Sequence, residues 1–362
     1  MRIAFFASSL VSAYWNGAAT YYRGLLRALA ARGHEITFLE PDAFERQRHR
    51  DIPDPPWARV VVYEATAGGV EQALERAQGA DLIVKASGVG VFDDELEAGV
   101  LALAGARSLV AFWDVDAPAT LDRMTGDPAD PLRALIPRYD LVFTYGGGER
   151  VRDAYLALGA RECAPIYNAL DEATHFPVPA EARFAADLTF IGNRLPDREA
   201  RVETFFLEPA AALPHRRFLL GGSGWADKPM PANIRLLGHV FTGDHNAINC
   251  SARAVLNINR ASMARYGLSP PTRIFEAAGA GVCIITDSWS GIDHFLEPER
   301  EVLVARDGIE VADLLEALTP ERARAIGAAA RRRVLEQHTY QRRAAEVDAV
   351  LEGARRDRAR AA

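Results

Sequence analysis

The stretch SPPTRIFEAAGAG, residues 269–281, holds two prolines, an Arg–Glu pair one turn apart and then almost nothing but small residues. Ser269 followed by Pro270 has the pattern of an N-cap and a first helical residue. A helix starting here directs its open N–H groups and the positive end of its dipole outward, which suits a phosphate. Prolines offer no N–H, so Thr272 and Arg273 carry the first useful donors. Glu276 lies one turn on, on the face of Thr272 and Arg273, where a carboxylate can accept both hydroxyls of a ribose. The small residues let such a helix pack closely on a sheet. The plain alternative is an Arg273–Glu276 surface pair on an ordinary helix.

On both sides of this segment the chain alternates strand and helix. AVLNINR (254–260) precedes it, and VCIITDS (282–288) and EVLVARD (301–307) follow; DLTFIGN, RRFLLGG and IRLLGHV lie upstream. All read as buried parallel strands. The first half repeats the pattern with RIAFFASS, EITFLEP, ARVVVYEA, DLIVKASG, SLVAFWDV and DLVFTYG, with helical stretches such as TYYRGLLRALAARG between them. Residues 166–186 lose the periodicity and gain prolines, as a linker does. The fold class is therefore α/β: a Rossmann-like, doubly wound domain over 1–165, the linker, and a second such domain over 187–335, facing each other across a cleft. At 362 residues the chain is long enough for two cores.

Composition excludes other classes. The net charge of −7 argues against a nucleic-acid partner, which would call for a basic excess. No apolar run approaches the ~18 residues of a membrane span, and MRIAFFASS reads as a first strand rather than a signal peptide. Cys163, Cys250 and Cys283 have neither metal nor disulfide spacing and suggest buried thiols in a reducing cytoplasm. The tail GARRDRARAA (353–362) reads as the frayed, solvated end of a helix. Membrane-surface contact there is the lesser alternative, because acidic residues upstream interrupt its basic face.

The segment from Ser269 to Asp307 resembles the nucleotide-sugar region of GT-B glycosyltransferases, specifically the CgeB-like spore maturation group among the group 1 enzymes. TFIGNRLPDR (189–198), NIRLLGHV (233–240), AFWDVDAP (111–118) and EQHTYQRRA (336–344) extend the resemblance over nearly the whole chain. It implies a nucleoside diphosphate sugar held by the second domain and an acceptor on the first. It also implies a C-terminal helix, 336–362, returning to the first domain. Glu276 falls at the ribose-binding glutamate. Many retaining relatives carry another glutamate eight residues earlier; here that position is Leu268, so their donor-sugar contacts do not carry over.

Other strand ends supply further candidates. Arg194 and Arg198 follow the turn Gly192–Asn193 and offer guanidinium forks for a diphosphate, Arg194 first; a solvated loop is the alternative. Only Lys85 and Lys228 are lysines among 42 basic residues, a mild hint that a compact ammonium is wanted there. Lys228 is a phosphate candidate or a plain surface lysine. Lys85 is a cleft cation or a helix-packing residue. Gly238, His239 and Val240 could frame the base through their backbone. Asn16 and Gly17 resemble the glycine loop over the donor phosphates, and lack the G-x-G-x-x-G of a dehydrogenase. Asp114–Val115–Asp116 is a D-x-D, a metal motif in a different glycosyltransferase fold. Its place in the first domain makes these acceptor-side carboxylates, with Asp116 the better catalytic base, or else the cap of the next helix.

These readings converge on a metal-independent hexosyltransferase with a nucleoside diphosphate sugar as co-substrate. The acceptor would be a glycan, a lipid-linked or a small-molecule hydroxyl. A nucleotide-sugar epimerase and a two-domain sugar-binding protein are the alternatives; the latter would require an export signal.

Overall fold

The protein, seen here as a computed structural model that describes residues 1–105 and 108–361, divides into two compact units. The first comprises Met1–Tyr167 and the chain from Tyr340 on; the second is Asn168–Thr339.

Unit 1 is built on seven strands, β1 (Arg2–Phe6), β2 (Glu35–Asp42), β3 (Ala58–Glu64), β4 (Leu82–Ala86), β5 (Leu109–Asp114), β6 (Leu141–Thr144) and β7 (Cys163–Pro165). All pair in parallel, in the order β3-β2-β1-β4-β5-β6-β7. β4 and β5 are buried along their whole length, which is why they read as unbroken apolar runs. β7 escaped the sequence reading because three residues carry no periodicity. The helix Tyr340–Ala361 also belongs to this unit and packs on the helix Ala19–Ala31. Any side chain at Gly24 would collide with the Tyr340 ring, its Cβ 2.1 Å from Cδ2. Asp348 accepts from Arg32 at 2.5 Å and meets His34 Nε2 at 2.8 Å.

The arginine-rich tail is not frayed. It stays helical to Ala361, and Arg358 donates to the carbonyls of Ser108 and Gly105 and reaches Asp140 at 3.3 Å. Its last residue, Ala362, lies outside the described residues.

Unit 2 carries β8 (Ala186–Ile191), β9 (Phe218–Gly221), β10 (Ile234–Gly238), β11 (Ala252–Asn257), β12 (Cys283–Asp287) and β13 (Leu303–Ala305). They form a second all-parallel sheet ordered β10-β9-β8-β11-β12-β13. Phe190, Phe206, Phe218 and Ile285 lie in the core on one face. In each sheet the order reverses once, at β1/β4 in unit 1 and at β8/β11 in unit 2. Such switch points are where open α/β sheets receive ligands.

Most of the stretch read as a linker is folded into unit 2. Asn168 donates to Pro270 O at 2.8 Å, and Leu170 N to His338 O at 2.8 Å. Asp171 accepts from Ala173 N and Thr174 Oγ1. Side-chain bonds and a single isolated bridge, Leu170 to Thr339, stand in place of a ladder, so no periodicity marks it. Among the described residues, no helix is long and apolar enough to cross a membrane.

Candidate functional site

The helix in SPPTRIFEAAGAG starts later than its sequence suggests, at Thr272, and runs to Gly279. Pro271 occupies the N-cap position in extended backbone, and Ser269 donates to Gly267 O instead of capping. The cause is the proline pair: a residue preceding proline is kept out of the helical region, so the helix begins only after Pro271. Leu268 holds a left-handed φ of 42°, with its N–H on Ser290 O at 2.7 Å.

The late start sets Arg273 at the switch point of unit 2. Its guanidinium donates to Ile191 O at the end of β8 (Nε at 2.8 Å) and to Asn257 Oδ1 at the end of β11 (3.0 Å), and it stacks over Phe190. Arg198, on the helix Pro196–Val202, approaches the same point and donates to Asn193 O at 3.4 Å. The two guanidiniums converge on Gly192. A Cβ there would stand 3.0 Å from Arg198 Nη1 and 3.2 Å from Arg273 Nη2. Glycine is also required at the neighbouring Gly222, whose φ is +125° and whose Cβ would meet Gly192 O at 2.2 Å. Burial, then the adjacent Arg198, lowers the Arg273 pKa, with Glu276 and Asp287 opposing. Two cations that disfavour each other beside a bare glycine backbone form a place where an anion is stabilising.

Glu276 stands one turn from Arg273. Burial would raise its pKa, but His175, His245, Arg273 and a hydrogen bond from Thr272 outweigh it and hold the carboxylate below its ordinary range. His175, from the supposed linker, and His245, which opens the helix His245–Ser251, lie with Glu276 so that one ligand atom from each falls within 4.8 Å of the others. Burial, opposed by Glu276, lowers the pKa of His175.

The remaining candidates of unit 2 are placed differently. Arg194 is ion-paired with Glu199 at 2.7 Å and Asp227 at 3.0 Å. Lys228 is held by Glu199 at 2.8 Å and by Glu203. Both are thereby engaged by carboxylates of the helical stretch Pro196–Leu207, and Arg194 also by Asp227. Gly238, His239 and Val240 leave β10: Gly238 O accepts from Gly222 N at 2.6 Å, and the His239 ring meets the exposed Phe241 edge-on at 4.6 Å.

In unit 1, Asp114 is completely buried. Its Oδ1 accepts from Ser87 Oγ (2.7 Å), Asp116 N (2.9 Å) and Thr120 Oγ1 (3.0 Å), and its Oδ2 from Tyr155 Oη (2.5 Å). Burial raises its pKa, and the Tyr155 and Ser87 bonds work against that shift. Asp116 occupies the N-cap position of the helix Ala117–Gly126, yet its side chain makes no capping hydrogen bond. Its carbonyl accepts from Ala119 N and Thr120 N. The cap reading of its carboxylate therefore fails.

Lys85 is not open to a ligand. It is fully buried and donates to Asp93 at 2.6 Å, Ala86 O at 2.9 Å and Glu97 at 3.5 Å, tying β4 to the helix Asp93–Ala102. Asn16 is likewise internal: it accepts from Ser8 Oγ and donates to Ser9 O and Ser12 O, fixing the loop after β1. Gly17 next to it faces open space. At the unit 1 switch point the sequence reading missed Arg46. It is buried, donates to Ser8 O and Val89 O at 3.3 Å each, and stacks over Phe44. His175 and His245 were missed as ligand-bearing groups for another reason: they join Glu276 only through the fold. Asn257 stands at a strand end, where binding groups were expected, and its side chain holds Arg273.

Residues 198–349 match the model of a family described as glycosyl transferase-like. No curated protein matches the chain. Among solved structures, the Anabaena protein HepE in complex with UDP and glucose is similar with a TM-score of 0.70 at 14% identity, covering 98% of this chain and 100% of that one. Sucrose-phosphate synthase from Thermosynechococcus elongatus gives 0.71 at 16% identity, with 98% of each chain covered. AviGT4, a glycosyltransferase involved in avilamycin A biosynthesis, gives 0.61 at 16% identity, covering 99% and 98%. The fold is accordingly that of the GT-B glycosyltransferases, two Rossmann-like domains each built on a parallel sheet.

Proposed function

We propose that the protein is a glycosyltransferase that moves a sugar from a nucleoside diphosphate sugar to a hydroxyl-bearing acceptor. Unit 2 holds the donor. Arg198 and Arg273 take the diphosphate at Gly192, ahead of the ion-paired Arg194, and Glu276 takes the ribose hydroxyls. The backbone of Gly238–His239–Val240 frames the base. The observation that carries this reading is the convergence of two guanidiniums on a glycine at the β8/β11 switch point, with a carboxylate held ionised one turn away. HepE and its complexes with UDP and UDP-glucose support a uridine nucleotide carrying a hexose. The motifs support an assignment within the group 1 enzymes to the CgeB-like set, as a cytoplasmic hexosyltransferase. The acceptor, a glycan, a lipid-linked or a small-molecule hydroxyl, is assigned to unit 1, with Asp116 removing its proton.

Titration calorimetry against a panel of nucleoside diphosphates tests the donor half. Glu276→Ala should weaken binding by roughly 1.5–3 kcal/mol, the worth of a charge-assisted hydrogen bond, with the fold intact. Unchanged affinity would remove Glu276 from the ribose. Incubation with the donor alone separates transfer from epimerisation, since an epimerase converts the donor without an acceptor.

The charge on the leaving diphosphate is met by guanidiniums and by the Thr272 helix start, with no metal at the D-x-D. Asp114 has its oxygens engaged by four donors, which argues against its ligating an ion. Turnover should therefore persist in excess EDTA. Complete loss, restored by Mg²⁺ or Mn²⁺, would return Asp114 and Asp116 to a metal.

A further inference from the structure

His175 poses a problem that the glycosyl-transfer reading leaves unsolved. Its side chain is only 2% exposed, and neither ring nitrogen makes a hydrogen bond. A buried polar group without a partner costs about 1–3 kcal/mol, and a fold does not keep one without compensation.

The backbone around it is fixed with care. Asn246 accepts from Phe176 N at 3.3 Å and donates to Thr174 O at 2.8 Å, clamping the residues on either side of His175. Asn246 directly follows His245, so one side chain holds both histidine positions in register. His175 N also donates to Asp171 O at 2.9 Å. The two imidazoles lie 6.0 Å apart, centre to centre, with Glu276 completing the group. Among the described residues this is the group of three ligand-bearing side chains able to share one ion.

We infer that His175, His245 and Glu276 form a binding site for a transition-metal dication of the zinc class. Two imidazole nitrogens and one carboxylate oxygen are a ligand set that such ions favour, with water completing four-coordination. Bonds of ~2.0–2.2 Å draw tetrahedral ligand atoms to about 3.3–3.6 Å of each other. Turning the imidazoles and the carboxylate about their soft terminal torsions closes the set from its present spacing. Occupation supplies the missing partner of His175.

The site lies outside the transfer chemistry and has a consequence for it. A carboxylate with one oxygen on the metal cannot give both oxygens to the two ribose hydroxyls, so metal and nucleotide compete for Glu276; this consequence alone rests on the ribose reading. The ion would restrain the enzyme rather than assist it, in keeping with turnover in EDTA.

The test is a Co²⁺ titration of the full-length, chelator-treated protein without nucleotide. We expect one Co²⁺ per chain with the strong visible absorption of a four-coordinate N/O site. His245→Ala and His175→Ala should each weaken binding at least tenfold. His245 is only half-buried, so its variant serves if the His175 variant does not fold, as judged by thermal melting. Absence of the visible band overturns the site, as does wild-type Co²⁺ binding in His245→Ala. Adding UDP to the cobalt form then tests the consequence separately. Loss of the band supports exclusion. A persistent band in the presence of bound UDP leaves the metal site standing and overturns the assignment of Glu276 to the ribose.

Discussion

Asp116→Asn should slow sugar transfer by about 10²–10⁴-fold, the usual worth of a positioned general base, while leaving donor affinity and thermal stability near wild type. The structure makes this substitution a clean one. Asparagine caps helices about as well as aspartate, so a capping role would have hidden in either outcome; Asp116, however, makes no side-chain cap. Its N–H on Asp114 and its carbonyl on Ala119 and Thr120 hold the backbone. Donor affinity should stay constant because the donor is assigned to unit 2. Steady-state kinetics with donor and acceptor varied separately will show whether the loss lies in turnover. Near-normal turnover would sink the base assignment and favour a retaining reaction, in which the leaving phosphate takes the acceptor's proton. Asp114, fully buried and bound by four donors, should instead report in stability when changed to Asn.

The second large effect is on folding. Lys85→Met should destabilise the protein by roughly 3–5 kcal/mol, the cost of breaking a buried ion pair from one side. The Glu97 side chain is 4% exposed, and burial already raises its pKa, with Lys85 the chief opposing charge. Without the ammonium, Glu97 must take up a proton or remain an uncompensated buried charge. Chemical denaturation of the single variant, set beside Lys85→Met/Glu97→Gln, measures this. The double variant should recover much of the loss, because it removes the stranded charge. If Lys85→Met melts like wild type, the ammonium is not supporting unit 1, and a role at a ligand returns.

Two kinds of information separate in this protein. The twin α/β organisation was legible because strands buried on both faces must be apolar along their length. Runs such as DLIVKASG and VCIITDS announce themselves for that reason. Within DLIVKASG the lysine was visible as an anomaly, but not its meaning. Whether a buried ammonium serves a ligand or a neighbouring helix depends on Asp93 and Glu97, which reach it from the next element. The arginines behaved likewise. Arg194 and Arg198 are four residues apart and the sequence put the first ahead, yet Glu199 and Asp227 engage Arg194 while Arg198 meets Arg273 at Gly192. Charges meet across space, so no local pattern records which cation stands beside Gly192.

The sequence by itself determined the fold class, the division into two α/β halves and the approximate place of the helix that carries Arg273 and Glu276. All of these follow from periodicity and from the backbone chemistry of proline and glycine, which act over a few residues. Tertiary structure alone decided the rest. It folded most of the supposed linker into unit 2, brought His175 and His245 to Glu276, and bridged β8 and β11 with one guanidinium. Those contacts join residues separated by tens of positions, and parallel strands linked by crossovers make them only once the sheet has closed.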